Sequence, residues 1–187
     1  MSELSPAQTF MLTRRSRSLR MLSGPAPKKR ELDVLLRIAS RVPDHGKLEP
    51  WRFVVLEEKA LRRIAEAAPP HIERIGAPSL AASQYADSPF AVVVLESPKE
   101  SEKIPAVEQT YSAGAVCLSL VNAALAGGWG AVWLSGALSH DPHFAAEAFG
   151  TEAHERVAGI IHIGRCAETP PERPRPDLSA KTTWISR

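Results

Sequence analysis

The chain has 187 residues and a formal net charge of +2, with 44% hydrophobic and 24% charged residues. A chain of this length fits one domain able to bury an apolar interior, and the composition excludes a disordered polymer. The near-neutral charge argues against a nucleic-acid-binding domain, there is no run of about 18 apolar residues to span a membrane, and the N-terminus lacks the basic start and apolar run of a secretory signal. The expected location is therefore the cytoplasm, with neither nucleic acid nor membrane as a partner.

Ser5-Pro6 offers an N-cap followed by proline, which predicts a helix from 6 to about 17 that carries Arg14 and Arg15 at its end. Leu32, Leu35, Leu36 and Ala39 recur at helical spacing and predict an amphipathic helix from about 28 to 40, ended by Pro43. Arg52-Phe53-Val54-Val55-Leu56 reads as a buried strand, and Glu57 to Ala68 as a helix broken by Pro69-Pro70. The stretch 71–88 is ambiguous. Phe90 to Leu95 is a continuous apolar run that suits a central strand covered on both faces.

The longest helical pattern runs from Pro105 to Gly127, and its small residues (Ser112, Ala113, Gly114, Ala115, Ala123, Ala124) suit a core spine or a subunit interface. Trp129 to Leu134 predicts a strand, Asp141 to Phe149 a helix closed by Gly150, and Val157 to Ile163 a last strand. Cys117 and Cys166, the only cysteines, form neither a disulfide framework nor a zinc motif and read as small buried thiols. Prolines then accumulate, so 1–166 reads as one folded domain and 167–187 as an extended arm whose Trp184 and Ile185 need an apolar surface to cover.

Two segments carry the chemistry. Arg14-Arg15-Ser16-Arg17-Ser18-Leu19-Arg20 packs four guanidinium groups and two hydroxyls into seven residues, a composition that suits a phosphate. Arg41-Val42-Pro43-Asp44-His45-Gly46-Lys47-Leu48-Glu49-Pro50-Trp51 adds cations, a histidine and a tryptophan. Taken alone, the first is a solvated basic surface and His45 a loop histidine. With Trp133-Leu134-Ser135-Gly136 after a strand as a third match in order, the chain resembles the nitroreductase family over about residues 10–165, and its short single-domain branch most closely.

That resemblance implies an α+β fold in which helices wrap a central mixed or antiparallel sheet, assembled as a homodimer. It implies FMN as cofactor and NAD(P)H as co-substrate, with hydride passed to a small-molecule electron acceptor such as a nitroaromatic or quinone. Arg14, Arg15 and Ser16 would hold the phosphate and ribityl end. Arg41 and His45 would reach the cofactor from the partner subunit, and Lys47, Trp133, Leu134, Ser135 and Gly136 would also line it. Ala123, Ala124, Leu125, Ala126, Gly127 and Gly128 would meet the nicotinamide cofactor.

The chain departs from the family pattern at Leu134, where the short branch often has arginine, and at Lys47 and Glu49. Lys47 is a candidate replacement for the missing charge. No side chain is assigned as an essential acid or base, and the histidines follow no zinc spacing. Two other readings stay open: an FMN-binding dimer with little turnover, and a non-catalytic module that holds an anion or RNA.

Overall fold

The computed structural model describes residues 3–186. Strands β1 (Trp51–Glu57), β2 (Phe90–Glu96), β3 (Gly130–Leu134) and β4 (Arg156–Gly164) form one sheet in the order β1-β2-β4-β3, every pairing antiparallel. Helices α1 (Pro6–Thr13), α2 (Lys29–Ala39), α3 (Glu58–Ala67), α4 (Pro69–Ile75), α5 (Ser83–Ala86), α6 (Ala106–Ala126), α7 (Ala137–His140) and α8 (Pro142–Phe149) wrap it. The architecture is α+β, and of the sequence's two options for the sheet it is the antiparallel one.

The apolar run of β2 is explained by cover on both faces. Phe90, Val92 and Val94 pack with Leu32 and Leu35 of α2 and Val116 and Leu120 of α6. Ala91, Val93 and Leu95 turn the other way, onto Leu61 and Ile64 of α3 and Phe144 of α8. A strand buried on both sides cannot alternate polar with apolar residues, so its period disappears into a continuous run.

Three expectations need correction. The first helix ends at Thr13, not near 17: Ser5 and Gln8 cap its start reciprocally, but Arg14 is already extended at ψ 138°. The extended segment docks on the sheet edge, where the Arg17 N–H donates to the Ala131 carbonyl at 2.9 Å; this bond competes with helix continuation. The ambiguous stretch 71–88 resolves into the short helices α4 and α5 and a single turn between them, and Pro69-Pro70 starts α4 as its first residues. Cys117 is buried, its thiol pushed up to about 12 by burial, whereas Cys166 is only half-buried and reaches the Glu168 carbonyl.

His162 sits in the middle of β4 with no exposed surface. The Ser88 hydroxyl donates to the Phe90 carbonyl, so His162 Nδ1–H donates to Ser88 Oγ at 2.8 Å and Nε2 is left as a bare lone pair without a partner. Burial lowers the imidazole to about 4. Between about pH 6.5 and 4 the unfolded chain binds a proton that the folded chain refuses, so stability falls as the pH falls through that window. His162→Leu is expected to flatten this part of a urea-midpoint profile; a wild-type slope that persists in the variant would assign the effect elsewhere.

Candidate functional site

Docking of Arg14–Arg17 beside β3 sets the segment against the end of that strand. Arg14, Ser16, Trp133, Leu134 and Ser135 come together around a cleft of about 500 Å³, closed on the helix side by Leu118 and Val121 of α6. Trp133 lies over Gly159 of β4, where a Cβ would meet the indole Nε1 at 2.0 Å. Glycine at 159 is what allows the ring to lie down on the sheet. Gly136 follows in an extended conformation and packs against the Gln84 amide.

Arg14 dominates the electrostatics of the cleft. Its Nη2 donates to Ser16 Oγ at 3.2 Å, while its Nε is buried with no partner. Burial, followed by the like charges of Arg175 and Arg15, lowers its pKa. A guanidinium stays protonated regardless, so the cleft holds an unmatched cation with an unused donor. That is the requirement for an anion such as a phosphate ester.

Arg15 turns to the C-terminal arm, which leaves its side chain only 10% exposed. It donates to the Pro171 carbonyl and lies 3.4 Å from Glu172, while Arg17 reaches Thr169 Oγ1 at 3.3 Å. These contacts hold the C-terminal arm against the Arg14–Arg17 segment and bring Arg175 towards Arg14, with Glu172 bound to Arg175 at 2.7 Å. Arg175, whose charge acts on Arg14, is a residue the sequence reading did not include; the Arg173-Pro174-Arg175-Pro176 run was the available signal, hidden in a segment read as an extended arm. His140, at the end of α7, also lines the cleft, and nothing in its sequence surroundings marks it.

The remaining candidates lie elsewhere. The loop of Arg41, His45 and Lys47 is fastened to the N-terminal part of α6, where Ser112 Oγ donates to the Pro43 carbonyl at 2.6 Å and His45 meets Glu108 at 2.6 Å. None of Arg41, His45 and Lys47 lines the cleft of its own chain. Within the loop Gly46, Lys47 and Glu49 all have positive φ, and the Asp44 carboxylate accepts the N–H groups of Leu48 and Glu49. A loop that holds two non-glycine residues in the left-handed region is over-determined by its surroundings.

Ala123 and Ala124 are buried in the core, Leu125 is partly buried, and Ala126, Gly127 and Gly128 form the exposed end of α6. None of these six lines the cleft. Among the described residues there is no cluster of His, Cys, Asp and Glu that could hold a metal ion, and no helix long and apolar enough to cross a membrane.

Comparisons with known proteins agree on the family and the fold. The nitroreductase family model matches residues 12–165. YdjA of Escherichia coli strain K12, provisionally named an NAD(P)H nitroreductase, is 32% identical over 162 residues, covering 84% of this chain and 87% of that protein. A Haemophilus influenzae protein with the same provisional name is 33% identical over 163 residues, again 84% and 87% of the two chains. Among solved structures, a nitroreductase-like family protein from Bacillus cereus superposes with a TM-score of 0.80 at 25% identity, covering 100% of this chain and 99% of the other. A provisionally named nitroreductase from Desulfovibrio desulfuricans, crystallised with FMN, superposes with a TM-score of 0.72 at 18% identity over 95% and 96% of the two chains. The chain belongs to the nitroreductase family.

Proposed function

We propose that the protein is a homodimeric, FMN-dependent oxidoreductase of the cytoplasm that takes hydride from NAD(P)H and reduces an electron-poor acceptor such as a nitroaromatic or quinone, both visiting one site in turn. The observation that carries this reading is Arg14, a guanidinium with a buried, unpartnered Nε beside Ser16 at one end of a mononucleotide-sized cleft. FMN supplies a two-electron carrier, so that NAD(P)H, a proton and a quinone become NAD(P)⁺ and a hydroquinone.

The chain's own residues bind and orient. Arg14 and Arg175 take the phosphate, with Arg15 anchoring the arm that carries Arg175. Ser16 serves the polar chain, and Trp133, Leu134 and Ser135 wall the ring from water. The FMN held by the Desulfovibrio protein, which has the same fold, supports the assignment.

The two-copy arrangement is supported by the cleft lining and by exposed apolar surface. Arg41, His45 and Lys47 do not line the cleft of their own chain, which supports their meeting the cleft of a second copy. Val107, Tyr111 and Leu118 of α6, Met11 and Leu12 of α1, Val34 and Ile38 of α2, and Trp184 and Ile185 of the arm are all exposed. That much bare apolar surface is what an interface covers.

Purified protein supplied with FMN is expected to be yellow, to bleach with NADH or NADPH without oxygen, and to recolour when a quinone is added. Colourless protein that binds no added FMN would overturn the reading. Binding without turnover would leave the flavin-storing dimer, which Leu134 favours by leaving apolar surface where a charge beside the ring is common.

A further inference from the structure

The first part of the C-terminal arm lies antiparallel to the segment from Arg14 to Ser23. Ser23 and Arg165 exchange backbone hydrogen bonds at 3.0 and 2.7 Å, Arg17 Nη2 donates to Thr169 Oγ1 at 3.3 Å, and Arg15 Nη1 donates to the Pro171 carbonyl. Glu172 follows where the arm reaches Arg15, and one of its oxygens gathers three donors. Oε1 accepts the Arg173 N–H at 2.8 Å and Arg175 Nη2 at 2.7 Å, and it lies 3.4 Å from Arg15 Nη1.

The result is a cluster of unequal charge. The guanidiniums of Arg175 and Arg15 both act on Arg14, and Glu172 is the carboxylate bound to that pair. Three guanidiniums against one carboxylate leave two positive charges unmatched, and a phosphate monoester near neutral pH carries roughly 1.5 to 2 negative charges. A cofactor phosphate at Arg14 fills the deficit that Glu172 leaves. It also meets Glu172 as a like charge beside the same guanidiniums.

The members of the cluster differ in freedom. The Arg15 side chain is 10% exposed and fixed between the two segments, whereas those of Glu172 and Arg175 are 58% and 55% exposed. An ion pair this open to water is weak, and another anion displaces it readily. Arg175, with N–H groups on both edges of a planar fork, is the member able to pass from the carboxylate to a phosphate.

We infer that Glu172 is a built-in competitor of the cofactor's phosphate: it holds Arg175 beside Arg14 until the phosphate takes that guanidinium over, and its charge sets a ceiling on FMN affinity. The inference rests on the FMN reading of the cleft and adds the regulation of that site. A carboxylate that only braced the arm would strengthen cofactor binding; a competitor weakens it.

The test is a pair of fluorescence titrations at low salt, one with FMN and one with riboflavin, which has the same ring and sugar chain and no phosphate. Glu172→Gln keeps an acceptor for the Arg173 N–H and drops the charge. It is expected to bind FMN roughly three- to tenfold more tightly than wild type, and riboflavin no differently, as removal of one like charge beside the phosphate implies. With Arg175→Gln already in place the guanidinium in dispute is gone, and adding Glu172→Gln is expected to gain little. Weaker or unchanged FMN binding by Glu172→Gln, an equal gain for riboflavin, or a gain undiminished without Arg175 overturns the inference while leaving the FMN reading standing. Failure of wild type and variants alike to bind FMN overturns both.

Discussion

Replacing Arg14 with alanine is expected to weaken FMN binding by roughly ten- to a hundredfold, the loss that follows when a charge-assisted contact of about 1.5–3 kcal/mol disappears. The measurement is a fluorescence titration, since bound flavin and free flavin emit differently. The structure makes the expectation specific to one of two neighbouring arginines. Arg14 Nε is buried and unpartnered, so it has a donor to give and no competing acceptor. Arg15 is spent on Pro171 and Glu172 and acts on the site only by holding the arm. Arg15→Ala is therefore expected to cost less than Arg14→Ala, and Arg62→Ala, on the exposed face of α3 and paired with Glu58, to cost nothing. Equal retention of FMN by all three variants would remove the phosphate from this end of the cleft.

Gly159→Ala is expected to be the most damaging single methyl in the sheet. Its Cβ would lie 2.0 Å from the Trp133 Nε1, 2.7 Å from Cδ1 and 2.8 Å from Cε2, and those atoms belong to a rigid ring that cannot yield at its tip. Either the indole swings out, deforming the cleft it lines, or the β3–β4 pairing opens. Overpacking of this kind costs about 1–3 kcal/mol, read as a lower urea midpoint together with weaker FMN binding. The double variant Gly159→Ala, Trp133→Ala removes the collision and is expected to be less destabilised than the sum of its parts. A Gly159→Ala protein as stable as wild type would show that the indole does not rest on this strand.

Much of the fold was legible because particular stretches had no second interpretation. Phe90 to Leu95 is apolar on both faces, and the long helical pattern that begins at Pro105 ends at Gly127, so β2 and α6 follow from periodicity and punctuation. The end of α1 was not legible. Nothing in Arg14-Arg15-Ser16-Arg17 forbids helix, and the chain leaves it because the Ala131 carbonyl on the sheet edge accepts the Arg17 N–H, a partner about a hundred residues away in sequence. Stretch 71–88 failed for a similar reason: its elements are too short to develop a period.

The site was readable in the same uneven way. Arginines next to a serine advertise an anion, and a tryptophan at a strand end advertises a wall, so Arg14, Ser16, Trp133, Leu134 and Ser135 could be proposed together and lie together. Arg175 and His140 could not, because only the folded chain brings Arg175 towards Arg14 and His140 to the cleft wall. Gly159 shows the limit from the opposite side, since a glycine within a strand announces a close approach without naming what approaches.

The position of β4 bears on how the protein is made. It is the last strand to leave the ribosome and yet lies inside the sheet, between β2 and β3. Until residues 156–164 have emerged, β2 presents an open edge and β3 has no sheet to join, so a nascent chain can complete only the antiparallel β1–β2 pair and the helices packed on it. Assembly is accordingly late and dominated by distant pairings, a slow class of folding reaction. The interval before β4 inserts is when this chain is most exposed to aggregation and to chaperone capture.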